Sequence, residues 1–347
     1  GLSNAQQITS LRVHPTNPDI AFVTSLGHAF GPSPDRGVFR TTDGGATWKK
    51  VLFLNDSTGA ADLSIDVTNP RIVYASMWKF QRTPWGMDAG AGRSGLWKST
   101  DGGDSWTELT FNPGMPKGLI GKIGVAVSPA NPQRVYANIE AQDSLGGVFR
   151  SDDAGATWSR TSGDQKFVVR PFYYMSLTAD PVNENTVYVM NLTVHRSIDG
   201  GRTFANVPAT HGDNHGLWIN PTNPNYLINA NDGGASISLD GGKSWSTQDN
   251  QPTSQFYHVA VDDGFPYKLY GGQQDNSSVI IQSKSDGGSI GIREWTEGPG
   301  CESANMGVSA KNPRYVYGGC YQGLIDEQDA TNGLGRTIMP WPEMNLT

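Results

Sequence analysis

Apolar and polar residues alternate along this chain in short runs, and the runs come in pairs around a turn of recurring composition. The turns fall in HPTNPDIAFVTS, DVTNPRIVYASM, SPANPQRVYANI, DPVNENTVYVMN, NPTNPNYLINAN, VDDGFPYKLYGG and SAKNPRYVYGGC. Val, Ile and Tyr fill the runs, while Gly, Pro, Asn and Asp separate them, which predicts half-buried strands joined by tight turns. Almost no segment carries the helical period. Seven turns predict seven units.

A second pattern runs in step with the first: Ser or Thr, any residue, Asp, any residue, Gly, two more residues, then Trp or Phe. Its copies are TTDGGATW, STDGGDSW, SDDAGATW, SIDGGRTF and SLDGGKSW. Their aspartates, Asp43, Asp101, Asp153, Asp199 and Asp240, lie 58, 52, 46 and 41 residues apart, the spacing of a supersecondary unit stacked on copies of itself. Each unit reads as strand A, Asn-Pro turn, strand B, loop, a short strand C such as GVFR or GLWK, the Asp phrase, and strand D opening on the aromatic residue. Four-stranded units repeated this way are the blades of a propeller. The prediction is an all-β, seven-bladed β-propeller of four-stranded antiparallel blades. It forms one domain over residues 1–347, with blades near 1–60, 61–118, 119–170, 171–210, 211–252, 253–299 and 300–347.

The Asp phrase is read as structural. A short acidic side chain accepts backbone N–H bonds inside its own turn, the glycines permit positive φ, and the closing aromatic packs between sheets. On these residues the repeat resembles the Asp-box, or BNR repeat, of sialidases, xyloglucan-cleaving endoglucanases, the sortilin receptor ectodomain and the photosystem II assembly and stability factor. Degenerate copies stand in KSDGGSIGIREW and LIDEQDATNGLGR. The stretch from HGDNHGLWIN to FYHVAVDD, followed by GGQQDNSS, is most similar to bacterial sortilin-like BNR proteins, often labelled glycosyl hydrolases without demonstrated activity. Members of that group usually continue into further propeller, so half of a longer array is one expectation. The other is a complete ring, since the chain starts at a strand A and ends after a strand D.

A net charge of −7 with 17% charged residues leaves no basic stripe for phosphate neutralisation, so nucleic acid is not an expected partner. No run of about 18 apolar residues is present, so no transmembrane segment is expected. Phosphate-cradling and G-x-S-x-G motifs at strand-to-helix turns are missing too, and no cofactor is expected. Cys301 and Cys320 flank the seventh turn, on strands that pair with each other, which is compatible with a disulfide. Two buried thiols are the alternative. A disulfide places the protein in the periplasm or outside the cell.

Function is expected on the rim that carries the irregular B–C and D–A connections. The longest connection, Trp78 to Gly95, holds Trp78, Arg82, Trp85 and Arg93, residues suited to anchoring a protein or stacking a sugar. A loop that folds back over its own tryptophans is the bland alternative. Polar residues predicted at the same rim include Glu140, His211, Asp213, His215, Gln255 and Gln274. His211, Asp213 and His215 have the ligand types for a metal, though such residues more often bond backbone groups, and no metal is expected.

Asp232, Asp275 and Glu302 could supply the carboxyl pair that glycoside hydrolysis requires. The resemblance to xyloglucan-cleaving enzymes implies a catalytic Asp in a D-x-G-G context. NDGG at Asp232 fits it, whereas the first unit has SLGHAFG with His28 in the corresponding place. Sialidase chemistry is not expected, because Arg12, Arg71, Arg134 and Arg314 lie in strands or Asn-Pro turns, away from that rim. The leading expectation is a non-enzymatic docking module, a subunit or assembly factor of a larger, membrane-bound, photosystem-like complex. The alternatives are a polysaccharide hydrolase and a sortilin-like peptide receptor.

Overall fold

The computed structural model describes residues 1–90, 92–251 and 253–339. Among the described residues seven antiparallel sheets follow one another, each built from sequential strands. The first comprises Ile8–Val13, Ala21–Ser25, Gly37–Thr41 and Lys49–Leu52, and the third Ile120–Val127, Val135–Ala141, Gly147–Ser151 and Ser159–Ser162. The fourth, sixth and seventh repeat this four-strand order. The second sheet adds a fifth strand, Gly86–Ala89, to its second strand, Val73–Thr83. Three 3-10 turns are the helical elements among the described residues. The fold class is therefore the all-β propeller with seven blade sheets.

One expectation fails locally. The fifth sheet has three strands among the described residues, Asn214–Ile219, Leu227–Asn231 and Gly234–Ser238. After Trp245 the sequence STQDN has no apolar alternation to place against a neighbour. Ser246 instead bonds back to Ile237, through its N–H to the carbonyl at 2.8 Å and its hydroxyl to the N–H at 3.0 Å.

Contacts group the chain into two compact units, Gly1–Asn231 with Ala235–Ser246, and Asp232–Gly234 with Thr247–Thr347. In the first unit the core lies between consecutive sheets. Phe22, Val38 and Leu52 of the first sheet meet Leu63, Val73, Ala75, Met77 and Trp97 of the second. Tyr74 and Leu96 of the second meet Ile123, Val125, Ile139, Phe149 and Trp158 of the third. Each buried side chain of this size stabilises the fold by about 1.5–3 kcal/mol relative to exposure. In the second unit Tyr270, Ile280 and Val316 form the buried cluster.

The five Asp phrases fold identically. In the first, the Thr41 hydroxyl donates to Asp43 Oδ1 at 2.7 Å and accepts the Gly45 N–H at 2.9 Å, while the Thr47 N–H donates to Asp43 Oδ1 at 2.9 Å. Asp101, Asp153, Asp199 and Asp240 repeat that set. Gly45 and its counterparts Gly103, Gly155, Gly201 and Gly242 have φ between 84° and 93°, a region that favours glycine. The hydrogen bond from the Thr47 hydroxyl, followed by those from the Thr47 N–H and the Thr41 hydroxyl, holds the Asp43 carboxyl down at about 2.

Candidate functional site

In the first unit the site is built on Val73–Thr83, at eleven residues the longest strand among the described residues. Its second half runs past the second sheet and pairs with Gly86–Ala89, Thr83 facing Gly86 across a turn made by Pro84 and Trp85. The Trp78–Gly95 connection is thus largely a β-hairpin rather than an irregular loop. The difference follows from its period: Trp78, Phe80 and Arg82 alternate with Lys79 and Gln81, so the first three share one face.

That face is layered. Trp78 stacks on Phe80 with ring centroids 4.6 Å apart, Phe80 lies 5.1 Å from Phe172, and the Arg82 guanidinium sits 5.4 Å over the Phe172 ring. Trp78 is 2% exposed, in a cluster with Leu26, Ala29, Ala61 and Phe80. The expectation that Trp78 presents itself to a partner is corrected: it is the floor of the site. Trp85, at the hairpin tip, is 87% exposed, and Arg82 and Arg93 are exposed as well.

The opposite wall is the segment Arg170–Tyr174, RPFYY, which the sequence reading did not single out. Three consecutive aromatics after Arg-Pro, in a connection where polar residues are the rule, was the signal available. Its backbone is held at both ends in the left-handed region, with φ of 48° at Arg170 and 86° at Met175, uncommon for residues bearing a Cβ. The Arg170 guanidinium lies 4.8 Å over the Tyr173 ring and donates to the Tyr174 hydroxyl at 3.3 Å. Between the walls lies a groove of about 730 Å³, lined by Phe30, Arg82, Pro84, Met87, Arg170, Phe172 and Tyr173. Phe30, Met87 and Tyr173 on it are 64, 46 and 47% exposed, a concentration of apolar surface unusual for solvent-facing residues.

Two residues predicted at the rim join this site from the HGDNH segment. Asp213 pairs with Arg170 at 3.7 Å, and the His215 ring lies 5.3 Å from that of Tyr174. Asp213 has φ of 55°, so His211, Asp213 and His215 do not form the extended stretch that would aim alternate side chains together. His211 places its Nδ1 3.0 Å from the Gly212 carbonyl.

Below the groove lies a group of ionisable residues. Lys122 donates its ammonium to the Tyr174 carbonyl at 2.8 Å and faces the Trp78 ring at 5.7 Å. Glu140 accepts the Lys122 N–H at 2.8 Å. Asp62 accepts the Val125 N–H at 3.0 Å and stands 3.8 Å from Arg12. Burial pushes the Asp62 and Glu140 carboxyls up and the Lys122 ammonium down to about 8. Arg36, fully buried, gives one nitrogen to the carbonyls of His28, Gly31 and Phe80, which ties the connection carrying Phe30 to the hairpin.

In the second unit Glu302 is the centre of a hydrogen-bonded set. Its carboxylate accepts the Asp275 N–H at 2.7 Å, the Gln274 amide at 2.9 Å and the Tyr321 hydroxyl. That last bond pushes the Tyr321 hydroxyl up to about 12. The Gln274 N–H bonds the Gln255 carbonyl at 2.9 Å. Carboxylate oxygens of Asp232 and Asp275 come within 4.8 Å of one another. Cys301 and Cys320, beside Glu302 and Tyr321 in the chain, form a disulfide with Cα atoms 5.2 Å apart.

No protein-family model matches the chain. A xyloglucanase of Acetivibrio thermocellus is 27% identical over 184 residues, 46% of this chain and 20% of that protein. The photosystem II assembly lipoprotein Ycf48 of a Synechococcus species is 30% identical over 160 residues, 44% of this chain and 39% of that protein. The chain thus spans well under half the length of either relative. Among solved structures, a GH74 enzyme of Niastella koreensis matches with a TM-score of 0.50 and 15% identity, over 96% of this chain and 65% of that one. The chain is similar in sequence both to polysaccharide-cleaving enzymes and to an assembly factor, and it shares the propeller fold.

Proposed function

We propose that this protein is a docking module, a non-enzymatic propeller that acts as a subunit, stabilising factor or assembly factor of a larger complex. The observation that carries the proposal is the groove beside Trp85: an exposed aromatic anchor, apolar walls and two arginines stacked on rings, the composition of interface hot spots. The similarity to an assembly lipoprotein supports a protein partner in a membrane-bound complex. The disulfide supports export to the periplasm or the extracellular space. We assign the five Asp turns to the Asp-box type.

Isolation of the native protein from source membranes under mild detergent, with mass spectrometry of what migrates with it, tests the reading. A stoichiometric set of complex subunits is the expected result. A protein that migrates alone, under conditions that keep membrane complexes intact, overturns it.

The second reading is a polysaccharide hydrolase. Its support is the approach of Asp232 to Asp275, which brings together two carboxyl groups of the kind glycoside hydrolysis requires, together with the xyloglucanase similarity. Glu302 suits a positioning role there, because its carboxylate already accepts three donors. Release of reducing sugar from xyloglucan by the wild type but not by Asp232→Asn would establish this reading in place of the first.

A further inference from the structure

We propose that Lys122 is the positioning residue of the aromatic groove and that it makes the shape of the groove depend on pH; its consequence for docking rests on the function proposed above. Lys122 sits on strand Ile120–Val127, yet its ammonium reaches two other elements. It bonds the Tyr174 carbonyl, at the end of one groove wall, and faces the ring of Trp78, the floor of the other. The turn that presents Phe172 and Tyr173 is therefore fastened to the hairpin strand through one nitrogen.

The charged groups around that nitrogen come from every neighbouring element. Strand Thr58–Ile65 contributes Asp62, with Arg12 behind it, and strand Val135–Ala141 contributes Glu140. The Arg170–Tyr174 segment contributes the Tyr174 carbonyl and a hydroxyl held by Arg170, and Arg170 in turn meets Asp213. On the hairpin, Lys79 is engaged with Asp88 at 2.6 Å.

Burial lowers the Lys122 ammonium to about 8 from 10.5, against the opposing pull of Asp62 and Glu140. The sign for global stability follows from linkage. Between these two values the unfolded chain binds more protons than the fold, so stability rises with pH there. The local effect has the opposite sense, because the segment opens with Lys122 still buried against Trp78, where its ammonium loses the Tyr174 carbonyl without regaining water. A neutral amine loses the charge-assisted part of its bond to Tyr174 and its attraction to the Trp78 ring. The groove wall is released while the fold as a whole is not weakened, a combination that general alkaline unfolding cannot produce.

Amide hydrogen exchange on the whole protein, followed by mass spectrometry from pH 6.5 to 9.5 and corrected for intrinsic rates, reads this without any partner. Protection of peptides covering 170–176 is expected to fall about tenfold across a one-proton transition near pH 8, the difference between a charged and a neutral hydrogen bond. Lys122→Arg, which stays charged, is expected to remain protected throughout, and Lys122→Met to be unprotected throughout. Flat protection in the wild type, or the same transition in Lys122→Arg, overturns the proposal. Should Lys122→Met fail to fold, the other two proteins still decide. A transition at Lys122 in a protein that captures no partner would leave the positioning role standing and remove the docking function.

Discussion

Arg82 sits over the ring of Phe172, its guanidinium carbon 5.4 Å from the ring centroid, and so bridges the hairpin that carries Trp85 and the segment that carries Tyr173. An exposed contact of this kind contributes about 0.5–1 kcal/mol, too little to decide folding and enough to hold a groove wall in place.

Arg82→Ala and Trp85→Ala are therefore expected to leave thermal stability within about 2–4 °C of the wild type, since neither side chain is buried. Each is expected to weaken capture of the partner complex at least tenfold, about the effect of losing an interface hot spot. Unaltered capture in the double variant would remove the groove from the docking surface.

Trp78→Ala should behave in the contrary way. The indole is almost fully buried beneath the hairpin, and its removal opens a cavity that Phe80 and Phe172 cannot close. A loss of about 3–5 kcal/mol is expected in urea unfolding. A loss below about 1 kcal/mol would mean that the side chain is not packed as described.

Asp43 and Asp240 carry a pH signature. Hydroxyl hydrogen bonds, from Thr47 and Ser244 respectively, are the largest cause holding both carboxyls at about 2, against the ordinary 3.8. A depressed carboxyl contributes stability above its unfolded value and loses that contribution as pH falls through the folded one. Melting temperatures recorded from pH 5 to pH 2 should therefore fall less steeply between about pH 4 and pH 2 in the Asp43→Asn/Asp240→Asn variant than in the wild type. Parallel curves would show that these turns do not hold their carboxylates in the charged form.

The Asp turns could be read from the sequence because every side-chain and backbone bond to each aspartate comes from within four residues of it. Strand order was equally legible, since each Asn-Pro turn joins neighbours in the same sheet. The groove was not. Lys122 comes from a strand of the third sheet and Tyr174 from the connection that leaves that sheet, and no period along the chain announces their meeting. Trp78 was misplaced for a related reason: Pro84 and the glycines after it read as an irregular loop, while the pairing of Arg82 with Met87 extends the strand to the tip. Hairpin and insertion differ only in partners across the strand, which a linear reading does not contain.

The Asp turns also bear on how such a chain changes over generations. The Ser99 and Ser105 side chains, the Gly103 and Ser105 N–H groups and the Asp101 carboxylate satisfy one another within seven residues, and the other four copies repeat those bonds. A blade can thus be duplicated, deleted or recombined as a segment of gene with the bonds around its aspartate already complete. Change elsewhere in the blade leaves those local bonds in place, so a variable blade can keep a sharp eight-residue signature.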